Sequence, residues 1–218
     1  TLEPIGEKFV STVDSGNFLC CLTAVKQGVT EYAHECENLK AIAEKAEKII
    51  SSTDIGIMYN RRRKLFHIGI NPDSGEKTES CYDLYMSEIR MTAYLAVARR
   101  FVPKNHWNSL DRPLLAEGRY SGLASWTGTM FEYFMANIFL PSPEGSLSNE
   151  ALKFCLQQQR KKAGKNPFGI SESAFYSFDG ELNYQYKAHG VQKLGLKRGL
   201  DKENVISDSC SDTENEKE

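Results

Sequence analysis

The chain has 218 residues, is 40% hydrophobic and carries a formal net charge of −2. That length holds one domain or two around a sizeable core. No run reaches the roughly 18 apolar residues of a membrane span, and the first residues lack a signal-peptide pattern. The charge is uneven: residues 201–218 hold seven acidic residues against two lysines, a net −5, leaving +3 on residues 1–200 and no strong electrostatic case for nucleic acid.

In chain order, the turn formers of VDSGN (13–17) precede Phe18, Leu19, Leu22 and Val25 at helical spacing. This predicts a helix capped by Asp14 or Ser15 and ended by Gly28. Residues 35–52 read as a second helix, with Leu39, Ile42, Ala43, Ala46, Ile49 and Ile50 on one face and Lys and Glu on the other. Two short strands around Asn60–Arg63, followed by an Asn-Pro turn, predict a β-hairpin. Residues 81–101 read as a long helix opened by the S-x-x-D pattern of Ser80 and Asp83. Residues 128–140 form a helix that is apolar nearly all round and so buried on every side. Residues 147–163 form an amphipathic helix. From residue 166 the pattern breaks into Gly-punctuated, aromatic-rich segments, and residues 201–218 are polar enough to be disordered. The class is mainly α with one small hairpin. Thr1 in place of Met predicts a piece of a longer chain or a processed product, and the composition predicts that this piece is soluble.

Three carboxylates stand where carboxylates are expensive. On the 81–101 helix, Asp83, Ser87, Arg90 and Tyr94 form one polar stripe, and Glu88 lies about 130° away from it. Its helical neighbours are Leu84, Tyr85, Met91, Thr92 and Leu95. An ionised carboxylate on that face is destabilising unless it is paired or faces a wet cleft. A buried structural ion pair with an arginine and a functional site are equally good readings at this point. Glu132 follows Thr129 in T-x-x-E, a capping box, so a cap or substrate-contact role is favoured over catalysis. Glu172 sits in NPFGISESAFYSFDG (166–180), a Gly/Ser turn crowded by Phe168, Phe175, Tyr176 and Phe178, which disfavours an incidental exposed acid.

Two such acids suggest glycoside chemistry, which needs a carboxyl pair flanking the scissile bond in environments that push their pKa values apart. Trp107, Trp126, Tyr82, Tyr176, Tyr184 and Tyr186 are candidates for stacking on sugar rings, although core packing is the commoner use of any one of them. Asp14 reads first as a helix cap. Other chemistries fit poorly. There is no G-x-S-x-G elbow, no phosphate-binding glycine loop and no convincing Cys/His pair. The six cysteines form no CxxC and read as small buried hydrophobes in a reducing compartment. The four scattered histidines predict no metal site.

The blocks VSTVDSGN, YDLYMSEIRMTAYLAVA, SWTGTMFEYFM and FGISESAFYSFDGELNYQYKAHGVQKLGLKRGL resemble the glycoamylase-like domain of bacterial cyclic β-1,2-glucan synthases, from about residue 9 to residue 200. The resemblance implies an (α/α)₆-barrel-type toroid over residues 1–200, followed by an acidic tail over residues 201–218. A full toroid needs twelve helices and six or seven are readable, so the barrel is incomplete in this chain. It implies retaining transglycosylation or cyclisation of β-1,2-glucan with Glu88 and Glu172 as the catalytic pair. Asp14, Tyr82, Asp83, Trp126, Glu132, Tyr184 and Tyr186 become substrate-binding residues, with neither cofactor nor metal. The implied partners are β-1,2-glucan and the rest of a multidomain synthase on the cytoplasmic side of an inner membrane. Two alternatives stand beside this reading: an endo-β-1,2-glucanase-like hydrolase, and an inactive truncated remnant that binds glucan.

Overall fold

A computed structural model describes residues 6–34, 36–174 and 177–200. The acidic stretch expected to be disordered lies outside the described residues, as do Phe175, Tyr176 and Cys210. The chain divides into two compact units, Thr1–Asp83 with Ile89–Leu110 and Leu84–Glu88 with Asp111–Glu218.

The first unit runs through β1 (Val10–Ser11), α1 (Thr12–Glu31), α2 (Glu37–Ser52), β2 (Tyr59–Asn60), β3 (Leu65–His67), β4 (Gly69–Ile70), β5 (Cys81–Tyr82), α3 (Ile89–Ala98) and α4 (Asn105–Ser109). Ser11, rather than Asp14 or Ser15, caps α1, its hydroxyl accepting the Asp14 N–H. Asp14 therefore lies in the first turn, where its charge complements the helix dipole. Gly28 lies inside α1, since the helix continues to Glu31. Gly16 lets α1 and α3 approach closely: a Cβ there would stand 2.0 Å from Thr92 Oγ1. On α2, Ala46 and Ile50 are buried, whereas Ile42 and Ile49 of the expected apolar face remain exposed.

The hairpin expected around residues 60–63 is present, with Tyr59 opposite Phe66 and Asn60 opposite Leu65. Its turn is held by Asn60, whose side chain accepts the Arg63 N–H at 2.9 Å and whose carbonyl accepts the Lys64 N–H at 2.7 Å. His106 packs edge-on against Tyr59 and Phe66 and bonds the Lys64 carbonyl through Nδ1 at 2.9 Å. Burial holds this imidazole below its usual pKa.

The long helix expected at residues 81–101 is cut to Ile89–Ala98. The β3 strand captures Cys81 and Tyr82, pairing them with His67 and Phe66, and this local ladder overrides the helical pattern. Ser80 and Asp83 consequently do not open that helix, which starts at Ile89. The expected polar stripe fails too, because Ser87 and Arg90 are buried while Tyr94 is exposed. The helix ends in a Schellman motif, with Phe101 N–H bonded to the Ala96 carbonyl and Arg100 N–H to the Val97 carbonyl. Arg100 takes the left-handed position of that motif at φ 63°, where glycine is usual. Arg100→Gly is therefore expected to raise stability by up to ~1 kcal/mol, read as a higher thermal midpoint.

The second unit adds β6 (Leu114–Glu117), β7 (Tyr120–Leu123), α5 (Met130–Phe134), α6 (Leu147–Ala163), β8 (Ser173–Ala174) and β9 (Tyr186–Lys187). β6 and β7 form a second hairpin that the sequence reading missed, turning at Gly118 with φ 61°. α6 matches its expected bounds, opened by Ser146 and ended by Gly164. The 128–140 helix is shorter than expected: α5 gives way to a 3-10 turn over Met135–Ile138. It is also not buried all round, since Ile138 is 73% exposed. The core gathers Met86, Leu123, Tyr133, Phe154, Ile170 and Leu194. The chain is thus mainly helical, with six α-helices and several short antiparallel pairings among the described residues. Cys20 and Cys155 are buried as expected, but Cys21 and Cys36 are exposed and Cys81 is half-buried.

Candidate functional site

The second unit builds a carboxylate cluster on the loop before α5. That loop is fixed from one side by the 190–197 segment: Ser125 N–H bonds the Leu194 carbonyl, Leu196 N–H bonds the Ser125 carbonyl and Lys197 N–H bonds the Trp126 carbonyl. Gly190 permits the contact, since a Cβ there would meet the Thr127 carbonyl oxygen at 2.1 Å.

Glu132 folds back into this loop and completes the capping box with Thr129. Its Oε2 accepts from Ser125 Oγ at 2.8 Å, Thr127 Oγ1 at 2.6 Å and the amides of Thr127 and Thr129 at 3.1 and 3.2 Å. Its Oε1 accepts from the Trp126 and Thr127 amides, each at 3.2 Å. The side chain is 6% exposed. A carboxylate with this many donors is satisfied without a substrate, so its geometry is that of a structural anchor.

Glu172 is placed by two further devices. The buried side chain of Gln159 on α6 brackets Ile170, accepting its N–H at 2.8 Å and donating to its carbonyl at 2.9 Å. Ser171 Oγ then accepts the Phe131 N–H, and the Ile170 carbonyl accepts the Met130 N–H, which holds the segment against the start of α5. Glu172 is left half-buried, with Oε2 accepting from the Tyr186 hydroxyl at 2.8 Å and Oε1 from Thr129 Oγ1 at 3.4 Å. Thr129 Oγ1 also lies 3.3 Å from Glu132 Oε2, so one hydroxyl proton serves two carboxylates in turn. Burial pushes the Glu172 pKa up, and the neighbouring Glu132 charge adds to it, while the Tyr186 and Thr129 hydrogen bonds act against the rise.

The Tyr186 hydroxyl is bonded to Glu172 and lies within the field of the Glu88 charge. Its pKa is raised by burial, by the bond to Glu172 and by the charges of Glu172 and Glu88. Glu88 is half-buried on the turn just before α3, not on the apolar face of a helix as the spacing predicted. Trp126, Tyr184 and Tyr186 present exposed rings, at 45%, 66% and 54%. Of the expected crowd around Glu172, Phe168 is buried and Phe178 exposed.

Glu88, Glu132, Glu172, Trp126, Tyr184 and Tyr186 thus belong to one unit, whereas Asp14, Tyr82 and Asp83 belong to the other. Asp14 is exposed on α1, and Tyr82 and Asp83 are half-buried at β5. Ser125, Thr127, Gln159 and Ser171, which build the cluster, were not singled out in the sequence. The capping box was their only advance signal. Among the described residues, no group of His, Cys, Asp and Glu could hold a metal ion, and no helix is long and apolar enough to cross a membrane.

No family model matches the chain. It is 38% identical over 177 residues, 80% of its length, to the cyclic beta-(1,2)-glucan synthase NdvB of Rhizobium meliloti (strain 1021). The chain spans 6% of the length of that protein. The resemblance to a domain of cyclic glucan synthases, read from the sequence blocks, is thereby shown.

Proposed function

We propose that this chain is a carbohydrate-active segment of a cyclic β-1,2-glucan synthase that rearranges β-1,2-glucan by transglycosylation. Its helices would contribute part of an (α/α)₆ toroid in a larger parent. The observation that carries the reading is Glu172: a half-buried carboxyl of raised pKa, gripped by the Tyr186 hydroxyl, with the Glu88 charge acting on that same tyrosine. The similarity to a glucan synthase supplies the substrate class.

In this mechanism Glu172 is the acid and Glu88 the nucleophile. Glu172 gives its proton to the glycosidic oxygen as the C1–O bond breaks, and the Glu88 carboxylate forms a bond to C1. Glu172, now ionised, takes the proton from a 2-hydroxyl at the other end of the same chain. That oxygen displaces Glu88 from C1 and closes a ring with the anomeric configuration retained. Water in place of that hydroxyl gives hydrolysis instead. The exposed faces of Trp126, Tyr184 and Tyr186 suit the apolar C–H surfaces of sugar rings. Asp14, Tyr82 and Asp83 are assigned as further subsite residues on the strength of the family blocks, and Glu132 as the anchor of the loop carrying Trp126.

The pH dependence tests the assignment of Glu172. An acid with a raised pKa is active while protonated, so turnover of linear β-1,2-glucan falls as pH rises through that pKa. The Tyr186 bond favours the carboxylate and lowers the pKa. Tyr186→Phe is therefore expected to move the alkaline limb of the kcat profile to higher pH. An unmoved limb would separate Glu172 from the proton transfer.

A further inference from the structure

The first unit holds a concave feature that the glucan reading does not use. A hollow of about 880 Å³ is lined by Arg61, Lys64, Arg100 and Lys104, with Tyr59 beside them and Phe101 on its apolar wall. Among the described residues no carboxylate lines it, and none of the four cations is ion-paired. Four like charges gathered around one hollow make its potential positive and favour an anion there.

Two of the four cations sit where the backbone favours glycine, Lys64 at φ 58° and Arg100 at φ 63°. A side chain there opposes folding, so the needs of the backbone do not account for these residues. A second observation points the same way. The Tyr59 hydroxyl is shielded from water and has no hydrogen-bond partner. Burial raises its pKa, and the charge of Arg61 on the same hollow acts against that rise. A buried donor without an acceptor fits an anionic oxygen of a ligand. The guanidinium forks of Arg61 and Arg100 match the geometry of a phosphoryl group, and the two ammonium groups add point charges.

We propose that this hollow binds a free, small phosphorylated molecule with at least two negative charges, its oxygens held by Arg61, Lys64, Arg100, Lys104 and the Tyr59 hydroxyl. Its organic body would lie on Phe101 and the neighbouring apolar wall. Such a ligand adds a second site to the chain, independent of the carboxylate cluster.

The test is calorimetric titration of the 218-residue chain with inorganic pyrophosphate at low ionic strength. One saturable site is expected in the wild type, weakened by salt. Lys64→Gly with Arg100→Gly removes two charge-assisted contacts and is expected to weaken binding by ~10- to 100-fold. Its thermal midpoint is expected to be unchanged or raised, because glycine suits both positions, so unfolding cannot explain the loss. Tyr59→Phe is expected to weaken binding by a few-fold. No saturable heat in the wild type, or undiminished affinity in the double variant, would overturn the site. Equal binding of citrate would overturn the phosphate assignment. Capture of the chain by phosphatidylglycerol vesicles that pyrophosphate fails to displace would overturn the free anion in favour of a lipid headgroup.

Discussion

Glu172→Gln is expected to lower the rate of β-1,2-glucan rearrangement by at least ~10³-fold while leaving the circular dichroism spectrum unchanged. The amide keeps the shape of the side chain and can still meet the Tyr186 hydroxyl, so the loss isolates the proton. Glu88→Gln is expected to cause a loss of the same order, because an amide cannot bond to C1 and later leave it. The two residues serve one reaction coordinate. Combining the changes should therefore be little worse than either alone, far short of the product of the two losses. Multiplicative losses would mean that the glutamates act on separate steps. A loss confined to KM would place both among the residues that merely hold the glucan.

Glu132→Leu is expected to be the most destabilising of the single substitutions considered, by ~3–5 kcal/mol. The Glu132 carboxylate gathers the hydroxyls of Ser125, Thr127 and Thr129 and the amides of residues 126, 127 and 129. Leucine fills the volume and leaves these donors buried without acceptors. For a chain of this size the loss corresponds to a fall of about 10 °C or more in the thermal midpoint. Glu132→Gln keeps one oxygen and should fall between the two. If Glu132 were chiefly a substrate contact, the leucine variant would melt near the wild type and differ only in glucan affinity. The sequence left these roles side by side, and the donor count around the carboxylate now favours the anchor.

What could be read in advance depended on how local the signal was. α6 was legible to the residue because its apolar spacing lies within its own span and its serine cap and terminal glycine directly flank it. The 59–67 hairpin and the Thr129–Glu132 capping box were legible for the same reason. The 81–101 segment misled because its helical periodicity competes with a strand partner, β3, that lies well upstream in the chain. Glu88 was consequently singled out by an argument about a helix face that the fold does not contain, and what ties it to Glu172 is its charge acting on Tyr186. Glu172 and Tyr186 stand 14 positions apart in the sequence, and no periodicity could have announced their pairing. The bracket from Gln159 was equally invisible, since a glutamine on an amphipathic helix ordinarily faces water, whereas this one is fully buried. The family blocks contributed what spacing could not, the proposed substrate class.

The most direct test of the central claim is mass spectrometry of the products formed when the purified chain is incubated with linear β-1,2-glucan. Cyclisation cuts rings from a linear chain and leaves a shorter linear remainder, with no water consumed. Products whose masses are whole numbers of glucosyl units, without the water that every linear glucan carries, are expected. They should be absent from Glu172→Gln and Glu88→Gln. Unchanged glucan in the wild type, or linear fragments alone, would contradict transglycosylation by this chain.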